Sequence, residues 1–200
     1  MPRGVVWDLG NVLIDWQPHA AVAAGMGEAE ATRFLAEYDF MAFNHGLDSG
    51  TPWVEAAAEL ARTHPEWAEH AAAYREHFPT SLTGEVPGTV AIVRELSEAG
   101  VPMWGLTNWS AELYPHAPER FDFLGLLDDV VVSGAEGVAK PDPAIYAIVV
   151  ARAGLPAADL VFVDDKEANV VGAIEAGLDG VLFTGADDLR RQLRDRGLPV

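Results

Sequence analysis

Acidic residues at Asp8 and Asp164-Asp165, a hydroxyl–amide pair at Thr107-Asn108 and a single cation at Lys140 recur along the chain, each at or soon after the end of a short apolar run. As a set they would supply a nucleophilic carboxylate, oxygen ligands for a hard divalent cation, donors for anionic oxygens and a counter-ion. Taken singly, each has a plainer reading, because Asp, Asn and Thr start turns wherever strands end. The combination is what carries information. Clustered carboxylates repel one another, and a divalent cation is the natural partner that keeps them all ionised.

The runs that must position these residues read as strands: Gly4–Trp7 before Asp8, Pro102–Leu106 before Thr107, Val130–Ser133 before the Lys140 loop, and Leu160–Val163 before Asp164. One more is expected at Gly180–Phe183, and a Gly10-Asn11 turn follows the first strand. Helices are expected at Thr89–Ala99, near Ser110–Tyr114, and at Pro143–Ala153, Lys166–Ala176 and Asp187–Arg196. Asp142 is placed to cap the third of these, with Pro143 at its first position. Short apolar strands alternating with helices predict a doubly wound, parallel-sheet, Rossmann-like α/β core. Ligands of such sheets sit beyond the carboxyl ends of the strands, where strand order reverses.

Residues 15–84 have a different texture, rich in Ala and Glu, with helices expected at Ala20–Ala24, Glu28–Tyr38, Trp53–Thr63 and Trp67–His77. The breaks fall at Gly25/Gly27, at Gly46 to Pro52 and at Pro65, and Phe43–Asp48 reads as a polar loop between helices. The expected organisation is an α/β core of 1–14 and 85–200, with a helical cap of 15–84 inserted after the first strand.

Composition narrows the possibilities. The net charge of −18, from 13 basic and 31 acidic residues, repels nucleic-acid phosphates and anionic membranes, and no basic stripe offsets it. Cysteine is absent, which excludes disulfides and thiolate chemistry and fits a cytoplasmic protein. No segment approaches the length of a membrane span, and the opening Met1-Pro2-Arg3-Gly4 runs too soon into Asp8 to read as a signal peptide.

The order of the motifs resembles the haloacid dehalogenase superfamily of hydrolases across the whole core. Trp7-Asp8-Leu9-Gly10-Asn11-Val12-Leu13 is similar to its first motif, Leu106-Thr107-Asn108 to its second, Lys140-Pro141-Asp142-Pro143 to its third, and Val163-Asp164-Asp165-Lys166-Glu167-Ala168-Asn169 to its fourth. The wording is most similar to the small capped sugar phosphatases of that superfamily, bacterial α-D-glucose-1-phosphate phosphatases among them. The resemblance implies a small phosphorylated metabolite as substrate and Mg²⁺ as cofactor. It also implies that Asp8 attacks phosphorus to form an aspartyl-phosphate. Asp8, Asp165 and the backbone carbonyl of Gly10 would hold the ion, with Asp164 a ligand or the support of one. Thr107 and the Thr107-Asn108 loop would bind phosphate oxygens, Lys140 would neutralise Asp8 and the transferring group, and Asn169 would brace the loop.

One position departs from the pattern. Most phosphatases of this superfamily carry a second Asp two residues after the nucleophile as general acid and base, and here that position is Gly10. A good leaving group, a cap residue such as His45 or Asp48, or a different chemistry would each resolve this. The alternatives are a metal-independent 2-haloacid dehalogenase, against which Asp164-Asp165 argues, and a non-catalytic phosphate-binding protein. The six histidines lack metal-ligand spacing, so those on helices, His70 and His77 included, are expected to be solvated. Trp16 and Trp109, each close behind a motif, read as packing or as pocket walls. Glu136 and Lys166 read as surface charge.

Overall fold

The computed structural model describes residues 2–200, in which seven strands and twelve α-helices form an α/β core and a helical excursion from it. The core strands are β1 (Gly4–Trp7), β4 (Met103–Thr107), β5 (Asp129–Val132), β6 (Leu160–Asp164) and β7 (Asp179–Leu182). They pair in parallel in the order β5-β4-β1-β6-β7, so β1 lies between the strands of Thr107 and Asp164. The chain winds outward from β1 through β4 to β5, then crosses back to β6 and β7. That reversal places the switch point at β1.

Alternation along β1 sends Val5 and Trp7 to one face and Val6 to the other. The first face packs on Ile92, Val93 and Leu96 of α7 (Thr89–Glu98) and Leu189 and Leu193 of α12 (Ala186–Asp195). The second packs on Ile145, Tyr146 and Val149 of α10 (Pro143–Ala153) and Ala173 of α11 (Glu167–Glu175). With both faces covered, the strands are apolar throughout and polar groups collect only at their ends. Asp142 caps α10 through Ala144 N–H at 2.8 Å, as its sequence position predicts.

Between β1 and β4 the chain forms a two-stranded antiparallel ribbon, β2 (Ile14–Trp16) and β3 (Leu82–Glu85), and the boundaries expected at 14/15 and 84/85 fall inside it. The ribbon brackets α1 (Pro18–Met26), α2 (Glu28–Glu37), α3 (Phe40–Asp48), α4 (Trp53–Thr63), α5 (Ala68–Glu76) and α6 (Phe78–Ser81). The short α8 (His116–Arg120) and α9 (Ser133–Glu136) complete the set.

Four local expectations are corrected. The segment Phe43–Asp48 is helical, part of α3, rather than a loop. Asp39 caps that helix through Ala42 N–H at 3.0 Å, and Phe40, Asn44 and Leu47 are buried at helical spacing, which outweighs Gly46. Residues Ser110–Tyr114 form turns rather than a helix, with Ser110 Oγ accepting from Glu112 N–H, and the helix starts later at His116. Ser133 opens α9 instead of ending β5. His70 is buried rather than solvated: its Nε2 meets Glu30 Oε2 at 3.0 Å and its ring stacks on Phe34.

Candidate active site

The carboxyl ends of β1, β4 and β6 bring Asp8, Thr107 and Asp164-Asp165 together, and the loop after α9 delivers Lys140. Lys140 is 2 % exposed, and its Nζ lies 2.9 Å from Asp8 Oδ1, 2.7 Å from Asp164 Oδ2 and 2.8 Å from the Leu106 carbonyl. All three ammonium protons are thus committed to protein oxygens. Its influence on a bound anion is therefore that of a charge rather than of a free donor.

One lysine cannot neutralise three carboxylates. Oxygens of Asp8, Asp164 and Asp165 lie within 4.8 Å of one another. Burial, with the charges of Asp164 and Asp165, pushes the Asp8 carboxyl well above its ordinary range against the opposing pull of Lys140. Asp165 is raised by burial and by Asp164. Burial alone would lower Lys140, but Asp8 and Asp164 more than reverse it, so the ammonium stays charged. Asp165 Oδ1 is buried without a hydrogen-bond partner, the condition of an oxygen that needs a cation. The donor set is all carboxylate, with the Gly10 backbone lining the same space, and suits a hard divalent ion.

Asp164 is the support of this cluster. It is fully buried and accepts from Lys140, from Lys166 N–H at 2.8 Å and from Asn169 Nδ2 at 3.0 and 3.1 Å. Asn169 is fixed in turn by Tyr146, whose hydroxyl donates to its carbonyl at 2.7 Å. Asn108 uses both ends of its side-chain amide to join two loops: Nδ2 donates to the Lys140 carbonyl at 2.9 Å and Oδ1 accepts from Lys140 N–H at 2.8 Å. That side chain holds the lysine loop, and Thr107 lines the cavity beside it.

Facing the cluster is a cavity of about 320 Å³, within the size range of small-molecule sites. Trp16, Met41, Tyr74, Phe78, Trp109 and Leu113 form its apolar walls. Trp109 packs edge-on against Phe78 and Tyr114 as well, so for this residue wall and core are one role. His45 lines the cavity while remaining exposed, and Asp48, from the same helix, lines it while buried. Lys166, read from sequence as surface charge, also borders the cavity, whereas Glu136 pairs with Arg152 away from it. Asn44, Tyr74 and Ser110 were not singled out in the sequence. The signal available for the first was the i, i+4 spacing of Asn44 and Asp48, legible only once α3 is known to be a helix.

A carboxylate cluster with a buried lysine, at the switch point of a doubly wound sheet and opening on a cavity, defines a class: α/β proteins with a ligand site at the strand ends that suits a hard cation. The family follows from comparison. The model of the haloacid dehalogenase-like hydrolases matches residues 2–177, and the chain belongs to that family. It is 31% identical over 191 residues to a phosphoglycolate phosphatase of Cereibacter sphaeroides, covering 90% of this chain and 84% of that one. It is 26% identical to the sesquiterpene phosphatase astK of Aspergillus oryzae, over 91% of this chain and 90% of the other. A match to drimenol cyclase drtB of Aspergillus calidoustus, also 26% identical, takes in 96% of this chain but 36% of that longer protein. Among solved structures, a family enzyme of Bacteroides thetaiotaomicron in its magnesium complex superposes with a TM-score of 0.74 at 17% identity, covering 96% of this chain and 98% of that one. The chain is a hydrolase of that family, and its relatives include named phosphatases.

Proposed function

We propose that the protein is a Mg²⁺-dependent phosphatase acting on a small phosphomonoester, a sugar phosphate among the candidates, through an aspartyl-phosphate on Asp8. The observation that carries this reading is Asp165 Oδ1, buried and unpartnered beside Asp8 and Asp164. A dehalogenase that worked without metal would leave that carboxylate oxygen uncompensated. Bound Mg²⁺, held by Asp8, Asp165 and the Gly10 carbonyl, would supply positive charge opposite the transferring phosphoryl oxygens.

The chain's own groups account for the rest. Leu9 N–H donates to Asp8 Oδ1 at 2.8 Å and Lys140 to the same oxygen, which turns the second oxygen of Asp8 toward the cavity as the attacking atom. Thr107 and the backbone after it would receive phosphate oxygens. The helical excursion of 15–84 acts as a cap that roofs the cavity, excludes water and selects the leaving group. The lack of cysteine fits a reducing cytoplasm.

The test is phosphate release from a panel of small phosphomonoesters, sugar 1-phosphates included, with Mg²⁺ and with excess chelator, alongside Asp8→Asn. Turnover that requires both metal and Asp8 is the expected result. Halide release from 2-haloacids that survives chelation would overturn it in favour of dehalogenation. Binding of Mg²⁺ and phosphate with no turnover on any ester would point instead to a non-catalytic phosphate-binding protein.

A further inference from the structure

We infer that Asp48, the last residue of α3, is the acid that protonates the leaving oxygen and the base that then activates water, in place of the carboxylate missing at Gly10. This rests on the phosphatase reading above. Asp48 lines the same cavity as Asp8, is 8 % exposed, and no Lys, Arg or His nitrogen lies within ion-pair distance of it among the described residues. A buried carboxylate without an ion-pair partner is costly to keep, so its place on a cavity wall calls for a reason.

Its orientation is held from both sides. Asn44 Nδ2 donates to Asp48 Oδ2 at 2.9 Å, and the Asn44 amide oxygen accepts from the Tyr74 hydroxyl at 3.4 Å. Ser110, from the loop after β4, lines the same cavity wall. The Asp48 carbonyl accepts from Ser133 Oγ, and that same oxygen accepts from Trp109 N–H at 3.0 Å. The end of α3 is therefore fastened to the loops that carry the phosphate-facing residues. Lys166 and Lys140 face the carboxylate from the core, and Asn44, His45 and Tyr74 from the excursion. Burial pushes Asp48 up to about 7 against the pull of Lys166, Ser110, Asn44 and Lys140. Both protonation states are then populated at neutral pH, as a residue that gives a proton and takes one back requires. His45, exposed on the same helix, has no comparable fixation.

In the first step an oxygen of Asp8 bonds to phosphorus and the ester P–O bond breaks. Its electron pair stays on the leaving oxygen, which takes the Asp48 proton and departs as an alcohol. In the second, the Asp48 carboxylate takes a proton from water as the water oxygen bonds to phosphorus. The Asp8–phosphorus bond breaks, releasing inorganic phosphate, a free Asp8 carboxylate and a reprotonated Asp48.

The experiment compares wild type, Asp48→Asn and Asp8→Asn, full-length with Mg²⁺, on p-nitrophenyl phosphate and on the best alkyl phosphate of the panel. An acid matters most for a poor leaving group. Asp48→Asn should lose about 10²–10⁴-fold in kcat/KM on the alkyl ester, but less than about tenfold on the p-nitrophenyl ester. The fall in wild-type alkyl-ester activity above about pH 7 should vanish in the variant. The ratio of the two substrates within one preparation is independent of how much of the variant folds. Equal losses on both esters, or no loss, would overturn the role of Asp48 while Asp8→Asn inactivity kept the phosphatase reading intact. A wild type inert on both esters would overturn the two together.

Discussion

Gly10 lines the cavity two residues past Asp8, its φ is not in the positive range, and a Cβ built there meets nothing within 4 Å. Backbone conformation and space therefore do not demand glycine. Gly10→Asp should fold with little change in stability and raise activity on alkyl esters, more so in the Asp48→Asn background than in wild type. Steady-state kinetics on the two backgrounds measures this; an equal response in both would separate position 10 from Asp48. The neighbouring Asn11 is different. It sits at φ 59°, where Asn is among the few side chains tolerated, and its Oδ1 accepts from Trp16 N–H at 3.2 Å. The same scale carries a prediction about pH and stability. With a carboxyl moved from 3.8 to about 7 on folding, Asp48 binds more protons folded than unfolded between those values. Stability on its account falls as pH rises through that window and stays lower above it. Asp48→Asn removes the term, so the variant should gain stability on wild type between about pH 5 and 8, by at most a few kcal/mol at 1.36 kcal/mol per pKa unit, seen as a rising difference in Tm. A Tm difference flat across that range would contradict the burial of the charge.

At the scale of elements, the site is assembled where α3, α9 and the loop after β4 meet. Gly134 permits that meeting: a Cβ there would lie 2.6 Å from Ala111 N and 2.7 Å from the Trp109 carbonyl. Gly134 N–H instead donates to that carbonyl at 3.0 Å. Ser133 supplies the joint, donating to Asp48 and accepting from Trp109. Ser133→Ala leaves a buried carbonyl and a buried N–H without partners and should cost about 1–3 kcal/mol, read from the denaturant midpoint. Because it acts through the end of α3, its effect on alkyl-ester turnover should be less than additive with that of Asp48→Asn. Full additivity would show that the joint serves stability alone. A second clamp, Glu112, receives Trp53 N–H and the Arg75 guanidinium, each at 2.7 Å, and ties the excursion to the same loop.

The whole molecule carries a charge of −18, yet its cavity is bordered by Lys140 and Lys166. Those two are outnumbered by Asp8, Asp48, Asp164 and Asp165, so a phosphate ester must approach through a repulsive field that only a bound cation reverses locally. At saturating Mg²⁺, kcat/KM for an anionic ester should therefore rise as ionic strength goes from roughly 10 mM to roughly 150 mM, where screening shortens to about 8 Å. A fall with added salt would mean that the local positive charge at the site dominates the approach. The two faces of the sheet are filled independently of that surface, so the same salt series should leave the fold unchanged. No helix among the described residues is long and apolar enough to cross a membrane.

Much of this was legible along the chain because parallel strands buried on both faces must be apolar until they end. Polar residues at 8, 107 and 164-165 mark those ends directly, and with Lys140 they name the chemistry. The cap of α10 by Asp142 follows from local rules as well, whereas the strand order around β1 is settled by pairing between distant segments. Helix α3 was hidden because Gly46 and its polar neighbours mimic a loop, and its stability comes from burying Phe40 and Leu47 against partners distant in sequence. Tertiary structure alone decided that Lys140 has no proton to spare and that the Asn108 side chain joins two loops. It alone lodged Asp48 in the cavity without an ion-pair partner. Residue type sets what a group can donate or accept, but its charge state and its partners depend on burial and distance, which exist only once the chain has closed on itself.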